Sequence, residues 1–143
     1  MKRETQFTQL IKIEKNKLQN IEKEIERERA KIANYQKEIE KIEEDILNID
    51  YPTHGTFSML QQFNIAMHNM KNEIHKREGL IDASNRRIEQ LRNDMVSVQR
   101  EIEKFQYLEN EILKKRAEEE KRREAKEMDE IAVLLHFQNR HSF

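Results

Sequence analysis

The sequence predicts an all-α protein, a long antiparallel two-helix coiled coil (a helical hairpin) with a C-terminal helical overhang. Two long segments carry apolar residues at alternating spacings of three and four, which is the repeat of a coiled-coil seam. Between them lie the only proline, Pro52, and one of the two glycines, Gly55. Charged residues make up 38% of the chain and hydrophobic residues 36%, so a narrow seam rather than a globular core is expected to bury the apolar side chains.

The break between the two segments is predicted to be a turn over residues 51–57. Pro52 lacks the N–H that a helix interior needs and disfavours helical backbone in the residue before it, while Gly55 adopts positive φ at little cost. Ser58 followed by Gln61 has the spacing of a capping box that would restart the helix. The chain is therefore expected to be one domain, residues 1–143, with a first arm at 4–50 and a second arm at 58–138.

Each arm can be written as heptads with the seam at positions a and d. In the first arm the a positions are Ile11, Leu18, Ile25, Ile32, Ile39 and Ile46, and the d positions are Phe7, Glu14, Ile21, Glu28, Tyr35, Ile42 and Ile49. In the second arm the a positions are Leu60, Met67, Ile74, Ile81, Ile88, Met95 and Ile102, and the d positions are Phe63, Met70, Arg77, Ser84, Leu91, Val98 and Phe105. A seam sustained over this length is typical of coiled coils rather than of single surface helices, whose apolar stripe is wider.

Folding the arms back about the centre of the turn predicts their register. Ile21 should meet Ile88, Phe7 should meet Ile102 and Glu28 should face Ile81. The polar seam residues Glu28, Arg77 and Ser84 then fall close together, which predicts a Glu28–Arg77 ion pair that fixes the register. The alternative is that both charged side chains bend outward to water.

The second arm is longer than the first, which should run out beside Phe105, so an overhang is expected from about residue 106. Lys114 to Glu127 holds seven basic residues and five glutamates without an aromatic residue. This mixture favours a solvated helix over a nucleic-acid-binding cluster. Beyond it lies an apolar stripe at helical spacing that is typical of a protein interface, with fraying or folding back as the alternative: Met128, Ile131, Ala132, Leu134, Leu135 and Phe137.

Several functions are disfavoured by what the sequence lacks. The formal net charge is −1, which gives no bulk attraction for nucleic acid or anionic lipid, and the absence of cysteine excludes thiolate metal sites. His68 and His75 share a face but are seven residues apart, too far for one ion. No catalytic motif, signal peptide or membrane-spanning run is seen. The sequence predicts a soluble cytoplasmic protein that is not an enzyme and has no cofactor or metal.

One stretch carries a resemblance to a known family. Lys126-Glu127-Met128-Asp129-Glu130-Ile131-Ala132, at the end of a charged helix in a chain of this length and layout, resembles the FliJ family of soluble stalk proteins of the flagellar type III export apparatus. Gln61-Gln62-Phe63 after the turn is similar as well.

The resemblance implies a function and a set of partners. Members of the family insert the end that carries both termini into the hexameric ring of the export ATPase FliI, contact the cytoplasmic domain of the export gate protein FlhA, and cycle export chaperones at the cytoplasmic face of the inner membrane. By resemblance, the ATPase-facing residues would be Met128, Asp129, Glu130, Ile131 and Leu135. The gate-facing residues would be Ile32, Tyr35, Ile39, Phe63, Met67 and Met70, all of which also serve the seam.

Two other functions remain open at this point. One is a structural scaffold in which the arms pair between chains as a parallel dimer, although the turn argues against it. The other is the equivalent stalk of a virulence type III secretion system.

Overall fold

A computed structural model describes residues 4–141 and contains two α-helices. Helix α1 spans Thr8–Asn48 and helix α2 spans Phe57–His141; no strand occurs within the described residues. The two helices pack against each other in antiparallel fashion, which confirms the predicted helical hairpin. The packing forms two compact units, one of residues 17–97 and one of residues 4–16 together with 98–141.

The seam positions are where the sequence pattern predicts them. Every predicted a and d position of both arms is buried or half-buried. On α2 the pattern continues one heptad further, since Glu109, Ile112 and Leu113 are half-buried as well. The 3.5-residue repeat therefore reports correctly which side of each helix faces its neighbour.

The apolar core of the unit of residues 17–97 lies between the two helices. Leu91 is 2% exposed and Ile88 is 6% exposed, and together with Ile25 they form a cluster. Ile21, Ile32 and Met95 pack around it. Burial of side chains of this size contributes about 1.5–3 kcal/mol each, so this cluster is the main apolar contact of the unit.

The register differs from the predicted one by three residues along α2. Glu28 is hydrogen-bonded to Ser84 rather than facing Ile81, and the ring of Phe7 stacks on Phe105, with centroids 5.8 Å apart, rather than lying against Ile102. The predicted register placed the turn symmetrically about its centre, and this assumption is wrong.

The path of the connecting residues explains the shift. The Tyr51 ring packs edge-on against Phe63, with centroids 5.1 Å apart, so the connection lies along the first turns of α2. Because the chain follows α2 in this way, the last turn of α1 faces a later part of α2 than a symmetric turn would give.

The predicted Glu28–Arg77 ion pair is also wrong. The Glu28 carboxylate pairs with Lys31 at 3.1 Å, whereas the Arg77 guanidinium pairs with Glu38 at 2.8 Å and Glu73 at 2.6 Å. The shifted register gives Glu28 a hydroxyl partner across the seam. Hydrogen bonds from Ser84 and then Lys31 lower the pKa of the Glu28 carboxyl, while those to Glu73 and Glu38 raise the pKa of Arg77.

Helix α2 begins two residues earlier than the predicted capping box implies. The Thr56 hydroxyl accepts a hydrogen bond from the Met59 N–H at 3.3 Å, which makes Thr56 the N-cap residue rather than Ser58. Gly55 precedes it with φ of 152°, and a Cβ there would lie 2.7 Å from Met59 Sδ. The positive φ favours glycine at this position, whereas the flexible Met59 side chain is half-exposed and can move away from an added Cβ.

Candidate functional site: the exposed end of helix α2

The candidate site is the last part of α2, beyond the residues that α1 covers. Every residue from 114 to 140 is exposed. The first half of this stretch is charged nearly throughout, which suits a helix surrounded by water. The second half is not, and it contains the residues that the sequence pattern predicts to bind another protein.

The apolar residues of this second half remain in water in the structure. Their side chains are between 54% and 70% exposed. The set comprises Met128, Ile131, Val133, Leu134, Leu135 and Phe137. An exposed apolar cluster of this kind marks an interaction surface in soluble proteins.

These apolar residues do not form one stripe. At 100° per residue, Met128, Ile131 and Leu135 fall on one side of the helix, while Val133 and Phe137 fall on the opposite side. Shallow depressions lie on both sides, one beside Met128 and Ile131 and the other beside Val133 and Leu134. A helix that is apolar on opposite sides is suited to enclosure by a partner, since a single groove would cover only one of them.

Charged residues flank both depressions. Asp129 and Glu130 line the depression beside Val133, together with Lys126, and Glu124, Glu127 and Lys121 line the other. The five residues predicted to face an ATPase thus divide: Met128, Ile131 and Leu135 share one side, and the two acidic residues border the other. Val133 is missing from the predicted set, which was carried over from the family resemblance. It lies on the same side of the helix as Phe137.

The start of α1 determines where the covered part of α2 ends. Thr5 Oγ1 donates a hydrogen bond to Glu109 Oε2 at 2.8 Å, and Thr8 Oγ1 donates to the same oxygen at 2.7 Å. The two threonines also cap α1, because Thr8 Oγ1 accepts from the Thr5 N–H and Thr5 Oγ1 accepts from the Phe7 N–H. We call this arrangement the threonine–glutamate clamp.

Hydrogen bonds from Thr8 and then Thr5 lower the pKa of the Glu109 carboxyl below its ordinary value of 4.5. Lys15 adds a smaller effect in the same direction, and desolvation opposes both. About two turns further along α2, Arg116 Nη1 donates to the Glu4 carbonyl at 3.1 Å. The heptad pattern did not predict the clamp, although Glu109 occupies the next a position after Ile102, where a polar residue is a usable signal.

The six residues predicted to face an export gate lie elsewhere, in the unit of residues 17–97. All six are half-buried in the seam: Ile32, Tyr35, Ile39, Phe63, Met67 and Met70. Ile32 packs against the core cluster and Phe63 against Tyr51. Each of them has a packing role, and any binding role would use the part of the side chain that remains accessible.

The described residues hold neither a metal site nor a membrane-spanning segment. Within residues 4–141, no group of three or more His, Cys, Asp or Glu side chains is placed to hold a metal ion. Over the same residues, neither helix has an apolar stretch of the length that crosses a membrane.

Fold and site together define the class of the protein: a helical hairpin whose longer helix ends in an exposed, partly apolar segment. Comparison with curated proteins and with solved structures gave no match. The family model described as "Flagellar FliJ protein" matches residues 1–141. The chain therefore belongs to the FliJ family, a family of flagellar export proteins, in agreement with the resemblance seen in the sequence.

Proposed function

We propose that this protein is a non-enzymatic stalk of the flagellar type III export ATPase complex. In this function the end of α2 enters the ring of the export ATPase, FliI, and promotes its assembly and activity. The observation that carries the proposal is the exposed segment 128–137, which is apolar on opposite sides of one helix. A ring surrounds its stalk, so it offers contacts to both sides at once.

The charged stretch before this segment fits the same function. Residues 114–127 belong to the continuous helix α2 and carry the apolar end at a distance from the part of α2 that α1 covers. At 1.5 Å per residue, this stretch adds about 20 Å. A helical spacer with a solvated surface keeps the apolar end accessible without exposing further apolar area.

The proposal includes two further sets of partners. The cytoplasmic domain of the export gate protein FlhA would bind the other unit around Ile32, Tyr35, Ile39, Phe63, Met67 and Met70, and export chaperones would bind in exchange with it. The protein would act at the cytoplasmic face of the inner membrane, held there by its partners. Membership of a flagellar family favours this system over a virulence secretion system.

The test is ATP hydrolysis by the purified export ATPase of the same bacterium, measured with and without the full-length chain. Ile131→Asp/Leu135→Asp should abolish the stimulation, because two charges replace two apolar contacts of about 1.5–3 kcal/mol each, which weakens binding by about 100-fold or more. The matched control is Leu47→Asp/Ile65→Asp, which changes two side chains that are 84% and 61% exposed in the other unit.

The control should stimulate hydrolysis as the wild type does, and far-UV circular dichroism should show equal helix content in all three proteins. Full stimulation by the Ile131/Leu135 variant would contradict the proposal. Loss of stimulation in both variants would contradict it too, since the effect would then not be specific to the end of α2.

A further inference from the structure

The residues around the turn have an unusual charge composition. Residues 42–70 contain Glu43, Glu44, Asp45 and Asp50 but no Lys or Arg, although the whole chain has 27 Lys and Arg. The nearest basic side chains in sequence are Lys41 and Lys71. In a chain of nearly balanced charge, this region is therefore distinctly acidic.

The same region exposes large apolar side chains. Leu47 is 84% exposed, Phe57 74%, Tyr51 62%, Ile65 61% and Met59 50%. Leu47 and Phe57 exceed every exposed apolar residue at the end of α2 in this respect. Large apolar groups left in water at this density indicate a surface that is covered in a complex.

The surface has a defined shape. Tyr51, Pro52, Gly55, Phe57 and Leu60 line a depression of about 170 Å³ at the turn. Two contacts already described hold its walls: the edge-on packing of Tyr51 on Phe63 and the Thr56 cap at the start of α2. A preorganised surface binds with a smaller loss of conformational entropy than a flexible one.

We infer that residues 47–65, which we call the turn surface, dock a segment of another protein that combines Lys or Arg with apolar side chains, such as a basic amphipathic helix. Nucleic acids and anionic lipid surfaces carry the same charge sign as Glu43, Glu44, Asp45 and Asp50, so both are repelled. A basic protein segment is attracted by these carboxylates and offers apolar side chains to Phe57 and Leu47. This inference is independent of the proposed ATPase contact, since it uses none of its residues.

The inference can be tested on the full-length chain by fluorescence anisotropy with two labelled peptides. The probes are a helical peptide of 18 residues built from Leu and Lys only, and a peptide of the same pattern with Glu in place of Lys. The Leu/Lys peptide should bind at least about tenfold more tightly. Raising the salt concentration should reduce the difference, because exposed charges are screened.

Variants assign the binding to the turn surface. Leu47→Ser/Phe57→Ser should weaken binding of the Leu/Lys peptide by about tenfold or more, because it removes two apolar anchors. Glu44→Gln/Asp50→Asn should weaken it by roughly threefold at low salt and hardly at all at high salt. The matched control Val96→Ser/Tyr107→Ser changes two exposed residues of α2 outside the turn surface and should bind as the wild type does.

Three results would overturn the inference. One is equal affinity for the two peptides. The second is unchanged affinity in Leu47→Ser/Phe57→Ser, or a loss of affinity in the Val96/Tyr107 control as large as in that variant. The third is binding of the chain to phosphatidylglycerol vesicles that the turn-surface variant abolishes, which would make an anionic membrane the occupant.

Discussion

Replacing Glu109 with alanine tests the threonine–glutamate clamp and should loosen the start of α1. The carboxylate accepts two hydroxyl hydrogen bonds, from Thr5 at 2.8 Å and Thr8 at 2.7 Å. Hydrogen bonds at partly exposed sites contribute about 1 kcal/mol each, so the variant should lose about 2 kcal/mol of protection against local opening. That corresponds to amide hydrogen exchange about 30-fold faster in residues 8–16.

Exchange of residues 17–48 gives an internal reference, because the clamp does not contact them and their rates should change little. Glu111→Ala, two residues further on α2 and exposed, is the matched control for the loss of a carboxylate. If residues 8–16 exchange no faster in Glu109→Ala than in Glu111→Ala, the clamp does not hold the start of α1.

The pH dependence of the same exchange follows from the direction of the pKa shift. The pKa of Glu109 is lower in the folded chain than its ordinary value of 4.5. The stabilisation of the start of α1 by the Glu109 carboxylate is therefore fully present above about pH 4.5. It is lost as the pH falls through the lower pKa that Glu109 has in the folded chain. Protection of residues 8–16, expressed as an opening free energy, should be flat from pH 5 to 7 and fall below pH 4. A decrease between pH 5 and 7 would point to another group.

Three substitutions in the unit of residues 17–97 should change the melting temperature followed by circular dichroism. Glu28→Leu should raise it, because an apolar side chain replaces a carboxylate that is only 16% exposed and gains about 1–2 kcal/mol of burial; a lower value would mean that the hydrogen bond from Ser84 outweighs burial. Gly55→Ala should lower the melting temperature and reduce the free energy of unfolding by about 1–2 kcal/mol. Alanine is strained at a φ of 152°, and its Cβ would lie 2.7 Å from Met59 Sδ until that side chain moves. Gly79→Ala should raise the melting temperature and increase the free energy of unfolding by about 1 kcal/mol, because alanine has the higher helix propensity. Nothing lies within 4 Å of the added Cβ. If the two glycine changes shift the melting temperature in the same direction and by the same amount, the positive φ of Gly55 does not limit stability.

The seam could be predicted position by position because burial in a coiled coil is encoded locally. Even Glu14, Glu28 and Arg77, which are polar, lie at seam positions that the apolar repeat assigns to them. The register could not be predicted in the same way. It depends on the path of residues 49–56 along α2, and that path is set by the contact of Tyr51 with Phe63 rather than by any repeat.

The polar partners were predicted less well than the seam. A heptad letter gives the side of the helix on which Arg77 lies but not which of several nearby carboxylates its long side chain reaches, and it reaches Glu38 and Glu73. The clamp at Glu109 was missed because the predicted register ended the pairing near Phe105. For the candidate site, the sequence predicts the exposed apolar segment well, while Val133 and the apolar character of the opposite side emerge only when the whole helix surface is considered.

The threonine–glutamate clamp has a consequence for ionic strength. Its donors are neutral hydroxyl groups, so its bonds are short-range and mobile ions hardly weaken them. The cross-helix pairs Arg77–Glu38 and Arg87–Glu24 join partly exposed charges, and added electrolyte screens these over a Debye length of about 8 Å at 0.15 M. The first turn of α1 should thus remain bound to α2 at both low and high salt concentration, while the ion pairs between the helices become weaker as salt is added.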